Sequence, residues 1–122
     1  MKSAASAYKT AHFENAPPLK LVQLLYEGAL RFLDQAAAAE AAADAARFQE
    51  RCLRAQAIVA ELRLALDAKQ APELAASLDE LYRFSEGEIR AAMLAGSGAP
   101  LAVVREILTT LLDGWKRLEV QT

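Results

Sequence analysis

Apolar residues recur along this chain at alternating three- and four-residue steps in four long segments. That spacing places them on one face of an α-helix, and no stretch of any length shows the strict alternation typical of a strand. Helix-breaking or helix-capping residues separate the segments: Pro17, Pro18, Asp44, Pro72 and the stretch Gly96–Pro100. The pattern predicts four helices of about 20–25 residues, each roughly 30–36 Å long.

The same residues predict where each helix begins and ends. Proline suits the first helical turn, so the first helix begins at Pro18. Asp44 is the predicted N-cap of the second helix. The third starts after Pro72 and ends at Gly96 as its C-cap, and the fourth starts at Pro100. The residues predicted to face the core are Val22, Leu25, Ala29, Phe32, Ala36, Ala39, Phe48, Cys52, Ala55, Val59, Leu62, Leu66, Ala75, Leu78, Tyr82, Ser85, Ile89, Ala92, Leu101, Val104, Leu108, Leu111, Trp115 and Leu118.

Short connections between the predicted helices favour antiparallel neighbours. The expected fold class is therefore all-α, an antiparallel up-down four-helix bundle spanning residues 18–122. Residues 1–17 show no strong helical stripe, and we expect them to form a mobile N-terminal arm. A chain of 122 residues is long enough for one such domain.

Charge and hydropathy limit the classes of partner. The chain carries 14 basic and 16 acidic side chains, a formal net charge of −2, with no basic stripe of the kind that binds nucleic acid. It has no apolar run long enough to span a membrane, and its N-terminus lacks the apolar core of a signal peptide. We therefore expect a cytoplasmic protein. The single cysteine, Cys52, lies on a core stripe and is predicted to be a buried structural thiol.

The sequence contains no recognisable catalytic constellation. Its one histidine, His12, lies in the predicted arm, which excludes both the paired Glu-x-x-His motifs of di-iron bundles and a phosphorelay histidine on a bundle helix. There is no Gly-rich phosphate loop and no Cys-x-x-Cys motif. We expect a non-enzymatic protein without metal or cofactor. Acid-first i, i+4 pairs predict solvated helix faces: Glu27–Arg31, Glu50–Arg54, Asp79–Arg83, Glu86–Arg90 and Asp113–Arg117.

Several helices carry more apolar residues than one core stripe requires. The additional positions are Leu21, Leu24, Leu30, Leu33, Leu53, Ile58, Leu64, Val103, Ile107 and Leu112. Some of them widen the core, but together they indicate a surface that buries a partner or a second copy of the chain. An amphipathic helix lying in an apolar groove is the natural use of such a surface. Tyr8, in the predicted arm, has no core to pack in and is a candidate to cover that groove.

Six matches, in order over nearly the whole chain, resemble the FliS family. Asn15–Leu21 is similar to the Thr-Ala-Ser/Asp-Pro opening of the first helix in that family. The Ala-Tyr pair of Ser6–Lys9 is similar to the N-terminal motif of that family, and Leu24–Phe32 resembles its Met-Leu-Tyr-(Glu/Asp)-Gly segment. Arg54–Leu62 is similar to its Lys-Ala-Gln-x-Ile-Ile-x-Glu-Leu segment. Leu81-Tyr82 and Trp115 match its Leu-Tyr pair and its late tryptophan. Each match is weak alone, but the ordered combination is specific.

The resemblance implies a function and a site. FliS-like proteins are cytoplasmic chaperones that hold the disordered C-terminal segment of flagellin as short helices in apolar grooves. They thereby prevent premature polymerisation and keep flagellin competent for flagellar type III export. The resemblance and the surplus apolar positions together give the candidate partner-binding residues: Tyr8, Leu24, Tyr26, Leu53, Gln56, Ile58, Leu64, Tyr82, Val103 and Ile107.

Other partners are compatible with the same sequence. Binding to further flagellar regulatory proteins and a weak homodimer both stay open. The alternative hypothesis is a self-associating structural or adaptor protein that has no flagellin client. Binding to flagellin with and without its C-terminal segment distinguishes the two.

Overall fold

The structure, a computed structural model, describes residues 18–121, with side chains for residues 19–118. Four α-helices make up most of this range: α1 (Pro18–Ala41), α2 (Ala45–Leu64), α3 (Pro72–Ala95) and α4 (Leu101–Gln121). No strand occurs between residues 18 and 121. The all-α prediction is confirmed, whereas the predicted arm of residues 1–17 lies outside the described part of the chain.

The predicted capping residues lie at the helix ends. Asp44 precedes α2, and its side chain accepts a hydrogen bond from the backbone N–H of Arg47 at 3.1 Å. Gly96 follows α3 in the left-handed conformation at φ 63°, where only glycine avoids a steric penalty. The fourth helix begins at Leu101, one residue later than the sequence predicts, after a turn closed by the Leu101 N–H and the Gly98 carbonyl.

Each helix packs against two neighbours, so that the four form a closed ring in the order α1, α2, α3, α4. Contacts between helices show the antiparallel direction. Gln49, early in α2, donates from Nε2 to the carbonyl oxygen of Met93, late in α3, at 2.8 Å. Arg105, early in α4, donates from Nε to Asp34, late in α1, at 2.8 Å. The up-down bundle predicted from short connections is therefore the observed arrangement.

The four predicted stripes form most of the core, which also includes Tyr26, Leu33 and Leu112. Most of their residues are buried, and Leu25, Phe32, Leu66, Leu111 and Leu118 are partly buried and pack against the rest. At its centre, the ring of Tyr26 lies 6.4 Å from the rings of both Tyr82 and Trp115. The hydroxyls of the two tyrosines are hydrogen-bonded across the bundle at 2.5 Å.

The ionic pairs of the surface follow the prediction at two positions and depart from it at a third. Arg54 pairs with Glu50, and Arg83 pairs with Asp79, each at 2.7 Å. The predicted pairing of Glu86 with Arg90 is wrong. Glu86 is only 7% exposed and turns toward α2, where it pairs with Arg63 at 2.6 Å. The carboxylate of Glu86 therefore faces α2 and does not lie on a solvated helix face.

Among the described helices, none combines the length and apolarity that crossing a bilayer requires. The loop between α3 and α4 is tied to the end of α1, because the Gly98 N–H donates to Oε2 of Glu40 at 2.9 Å. A Cβ atom at Gly98 would lie 2.6 Å from Glu40 Oε1, so glycine permits this close approach.

Candidate functional site

An apolar groove runs between α3 and α4, the two neighbouring helices with the least extensive mutual contact. Its cavity measures about 170 Å³, and its walls are almost wholly apolar. Small residues open it from the α4 side, since a Cβ atom added at Gly114 would meet nothing within 4 Å. The lining residues are Leu74, Leu78, Thr110, Leu111, Gly114, Trp115 and Leu118.

Exposed apolar side chains extend this groove along both helices. Val103, Ile107 and Gly114 follow one another at helical spacing on α4, so they lie on the edge that borders the groove. On α3, Leu81 lies two turns beyond Leu74, and Phe84 lies one turn further. Val103 is 37% exposed, Leu81 36% and Phe84 47%. The apolar surface therefore reaches well beyond the cavity itself.

A second apolar area lies where α2 borders α3. Leu53 comes one turn after Gln49, whose amide bonds to α3, and it is 56% exposed. Leu64 lies three turns further on the same edge of α2 and is 75% exposed. Gln56 is half-buried between them, and Leu94 is the most exposed large apolar side chain of α3.

A third area lies on the seam between α1 and α2. Ile58 packs onto α1 at Gly28, where an added Cβ atom would lie only 3.3 Å from its Cδ1 atom. Leu24, one turn before Gly28 on α1, is half exposed beside this contact. The two residues thus belong to one seam, in which Ile58 mostly packs and Leu24 presents apolar surface to solvent.

The sequence-based candidates therefore divide among three faces and the core. Tyr26 and Tyr82 have no exposed area, so in this arrangement neither can touch a partner, and both pack the centre of the bundle. Tyr8 lies outside the described residues. The remaining candidates lie on the α1–α2 seam (Leu24, Ile58), the α2–α3 edge (Leu53, Gln56, Leu64) and the α3–α4 groove (Val103, Ile107).

Leu74, Leu81 and Phe84 were missed by the sequence-based candidate list. Their signal is present in the chain, because Leu74 and Leu81 are seven residues apart and Phe84 follows three residues later. That spacing puts them on one edge of α3, beside the predicted core stripe. The sequence does not show that α4 leaves this edge uncovered.

Burial and ion pairing shift the pKa values of some titratable groups among the described residues. Burial, followed by the negative charge of Glu40, raises the pKa of the Cys52 thiol to about 11, which keeps it protonated and poorly nucleophilic. The hydrogen bond from Arg63 to Glu86 raises the pKa of Arg63 above its usual value. Within the described residues, no three His, Cys, Asp or Glu side chains lie close enough together to hold a metal ion.

Comparison with known proteins places this groove-bearing bundle in a family. The family model described as "Flagellar protein FliS" matches residues 1–122. The chain is 31% identical over 112 residues to the "Flagellar secretion chaperone FliS" of Bacillus subtilis (strain 168). The matched region covers 92% of this chain and 83% of the relative.

Two further relatives are similar at the same level. The chain is 30% identical over 118 residues to the "Flagellar secretion chaperone FliSB" of Pseudomonas aeruginosa, covering 94% of this chain and 91% of the relative. It is 30% identical over 122 residues to the "Flagellar secretion chaperone FliS" of Vibrio cholerae, covering 97% of this chain and 90% of the relative. Because the family model matches the chain from residue 1 to residue 122, this chain belongs to the FliS family of flagellar proteins.

Proposed function

We propose that this chain is a cytoplasmic, non-enzymatic export chaperone that binds the disordered C-terminal segment of flagellin. Held on the bundle, the segment is unable to polymerise and stays available to the flagellar type III export system. Family membership supports the choice of client, since the similar proteins are flagellar secretion chaperones. The observation that carries the proposed mode of binding is the apolar groove between α3 and α4.

The groove suits an amphipathic helix. From Leu74 to Phe84 its α3 edge is about 15 Å long, at 1.5 Å per residue. A client helix of about ten residues fits that length and places apolar residues at positions i, i+3, i+4 and i+7 against the groove. Phe84 and Val103, half exposed without a client, would lose their contact with water when the helix docks.

The other two apolar areas support a client that wraps around the bundle rather than a single docked helix. Leu53 and Leu64 mark the α2–α3 edge, and Leu24 marks the α1–α2 seam. A segment that is disordered when free can follow several faces in turn, because its backbone is not committed to one shape. Ordering such a segment costs part of the interaction energy, so we expect moderate affinity for the area buried.

The N-terminal residues have a place in this proposal. Residues 1–17 would act as an arm, with Tyr8 covering part of the apolar surface when no client is bound. Deleting the residues before Pro17 is then expected to leave the bundle folded and to increase the binding of an apolar dye. Unchanged dye binding together with unchanged client affinity would argue against a covering role for Tyr8.

Co-purification with flagellin tests the client. Full-length flagellin should be retained by this chain, and flagellin lacking its C-terminal segment should be lost. Equal retention of both forms would place the client site elsewhere in flagellin. Retention of neither, with a stable oligomer in light scattering that shields the apolar faces, would favour the alternative of a self-associating structural protein.

Two substitutions test the groove itself. Phe84→Asp and Val103→Asp each place a carboxylate where an apolar client side chain would pack, and we expect at least about a tenfold loss of flagellin affinity. The matched controls are Ala76→Asp on α3 and Ala102→Asp on α4, both at exposed positions. Ala76 is two residues from both Leu74 and Leu78, and Ala102 is next to Val103 in sequence, so each faces away from the groove. If the controls weaken flagellin binding as much as the groove variants do, the groove is not the site.

A further inference from the structure

Three arginines converge on a polar cleft between α2 and α3. Arg63 of α2 and Arg83 and Arg90 of α3 line it together with Glu86, and its volume is about 150 Å³. The cleft lies on the opposite side of α3 from the apolar groove with α4. Its arginines take no part in the flagellin contacts proposed for that groove, whereas its flanking leucines, Leu53 and Leu64, lie on the α2–α3 edge that a wrapping client would also follow.

The three arginines of the cleft differ in whether a carboxylate of the chain pairs with them. Both carboxylate oxygens of Glu86 accept hydrogen bonds from Arg63, at 2.6 and 3.4 Å. Arg83 is held by Asp79 at 2.7 Å. Arg90 pairs with no carboxylate among the described residues, because Glu86, its neighbour one turn earlier, is engaged by Arg63. The cleft therefore presents one exposed guanidinium that is free to bind an anion.

We propose that this cleft binds the carboxylates of an acidic amphipathic helix supplied by a protein partner. Arg83 and Arg90 lie seven residues apart on one face of α3, about 10.5 Å along its axis. Acidic residues at i and i+7 of a partner helix have the same separation. One carboxylate would reach Arg90, and the other would reach the terminal nitrogens of Arg83, whose Nε is held by Asp79. Arginine guanidinium groups bind carboxylates in a two-pronged geometry that suits this recognition.

The position of Glu86 favours a helix with two separated carboxylates over a compact anion. Glu86 lies between the two arginines in sequence and lines the same cleft, so a single phosphate seated centrally would meet its negative charge. Gly87 also lies between the two arginines in sequence. A Cβ atom added at Gly87 would have one described neighbour within 4 Å outside its own helix backbone, the NH2 atom of Arg90 at 3.8 Å. A partner backbone can therefore approach α3 between the arginines.

Exposed leucines flank the cleft and supply the apolar half of the interaction. Leu94 follows Arg90 by one turn and is 90% exposed. Leu53 on α2 borders the same end, because Gln49, one turn earlier, is bonded to Met93. Leu64, next to Arg63, borders the other end and is 75% exposed. The surface thus alternates leucine, arginine and leucine, which is complementary to a helix that carries both acidic and apolar residues.

The experiment uses the full chain and an 18-residue helical peptide with leucines on one face and glutamates at positions i and i+7. A second peptide carries glutamines in place of the two glutamates, and inorganic phosphate is titrated separately. Binding is followed by calorimetry and by the side-chain Nε–Hε signals of the arginines in nuclear magnetic resonance spectra. We expect the glutamate peptide to bind about fivefold more tightly than the glutamine peptide, with the Arg83 and Arg90 signals shifting.

Substitutions identify the groups responsible. Arg90→Gln is expected to remove most of the preference for glutamate, and Arg83→Gln to reduce it. Arg117→Gln, an equal charge change at an exposed position on α4, should leave the preference intact. Phe84→Asp should also leave it intact, so that this outcome stays independent of flagellin binding in the α3–α4 groove.

Three results would overturn the proposal. They are equal binding of the two peptides, an equal loss of preference in the Arg90 and Arg117 variants, and phosphate competing fully with the glutamate peptide. The last result would identify a site for compact anions instead. Circular dichroism of each variant confirms that a change in binding does not arise from unfolding.

Discussion

Glu86 on α3 is buried, and Arg63 on α2 donates to both of its carboxylate oxygens, from Nε at 2.6 Å and from NH2 at 3.4 Å. The side chain of Glu86 keeps 9% of its accessible area and that of Arg63 keeps 20%. This pair joins two helices, whereas the i, i+4 pairs of the surface lie within one. Its removal should therefore affect the packing of the bundle.

Replacing Arg63 with methionine should destabilise the chain by about 2–4 kcal/mol, because it leaves a nearly buried carboxylate without its partner. Arg90→Met is the matched control on α3, and we expect it to cost less than about 0.5 kcal/mol. Urea unfolding followed by circular dichroism measures both free energies. Equal destabilisation by the two substitutions would mean that the buried pair adds no more to the free energy of unfolding than the exposed Arg90 does.

The buried thiol of Cys52 gives the chain a pH dependence in the alkaline range. Its pKa is raised from about 9 in the unfolded chain to about 11 in the folded one, so the folded state holds the proton more tightly. The stabilisation is fully present below pH 9 and is lost as pH rises toward 11. A difference of two pKa units corresponds to about 2–3 kcal/mol.

Cys52→Ala isolates that contribution, since both proteins carry the same tyrosines, lysines and arginines. We expect the free energy of unfolding to fall more steeply between pH 9 and pH 11 in the unmodified chain than in the variant. Parallel curves over that interval would show that the thiol has the same proton affinity in both states. Alkylation at pH 8 should be slow in the folded chain and rapid in urea.

Among the described residues, two in the left-handed conformation end helices in the same way, and one of the two is not a glycine. Gly96 follows α3 with φ 63°, and Ala43 follows α1 with φ 58°. In both cases the next residue donates its N–H to a carbonyl five residues earlier: Ser97 to Ala92 at 3.1 Å, and Asp44 to Ala39 at 2.9 Å. Alanine in this conformation brings its Cβ atom too close to the following carbonyl.

Ala43→Gly is therefore expected to stabilise the chain, by about 0.5–1 kcal/mol, since the relief of strain exceeds the entropy that glycine loses on folding. Ala42→Gly, one residue earlier at negative φ, should destabilise it. Gly96→Ala should cost about 1 kcal/mol for the converse reason. Thermal unfolding ranks the three variants by melting temperature. A melting temperature of Ala43→Gly below that of the unmodified chain would contradict the strain argument.

These two caps also show how far the sequence predicts the fold. A glycine between a helical stripe and a proline is a strong signal, and Gly96 is located correctly from it. An alanine within an alanine-rich stretch carries no signal, so nothing in the sequence distinguishes Ala43 from its neighbours. The sequence likewise carries no signal for the end of α2 at Leu64, whereas Asp44 marks where this helix begins.

The candidate site could be predicted only in part, because periodicity reports which face of a helix is apolar but not what covers it. Val103, an apolar position outside the predicted core stripe, is 37% exposed. Tyr26, a partner-binding candidate supported by a family motif, packs against Tyr82 and Trp115 at the centre. The exposure of Phe84 depends on how far α4 stands from α3, which is a property of the packed bundle. The pairing of Glu86 with Arg63 depends on the α2–α3 register for the same reason.

The hydrogen bond between Tyr26 and Tyr82 should couple α1 to α3, two helices that are not neighbours in the ring. Tyr26→Phe or Tyr82→Phe alone removes one hydroxyl and leaves the other without this partner in a buried site, at an expected cost of about 1–2 kcal/mol. The double variant removes both hydroxyls and retains both rings. We therefore expect it to cost less than the sum of the two single variants, with a coupling energy of about 1 kcal/mol. Chemical unfolding of the three variants and the unmodified chain completes the cycle, and strictly additive costs would show that the two hydroxyls stabilise the bundle independently.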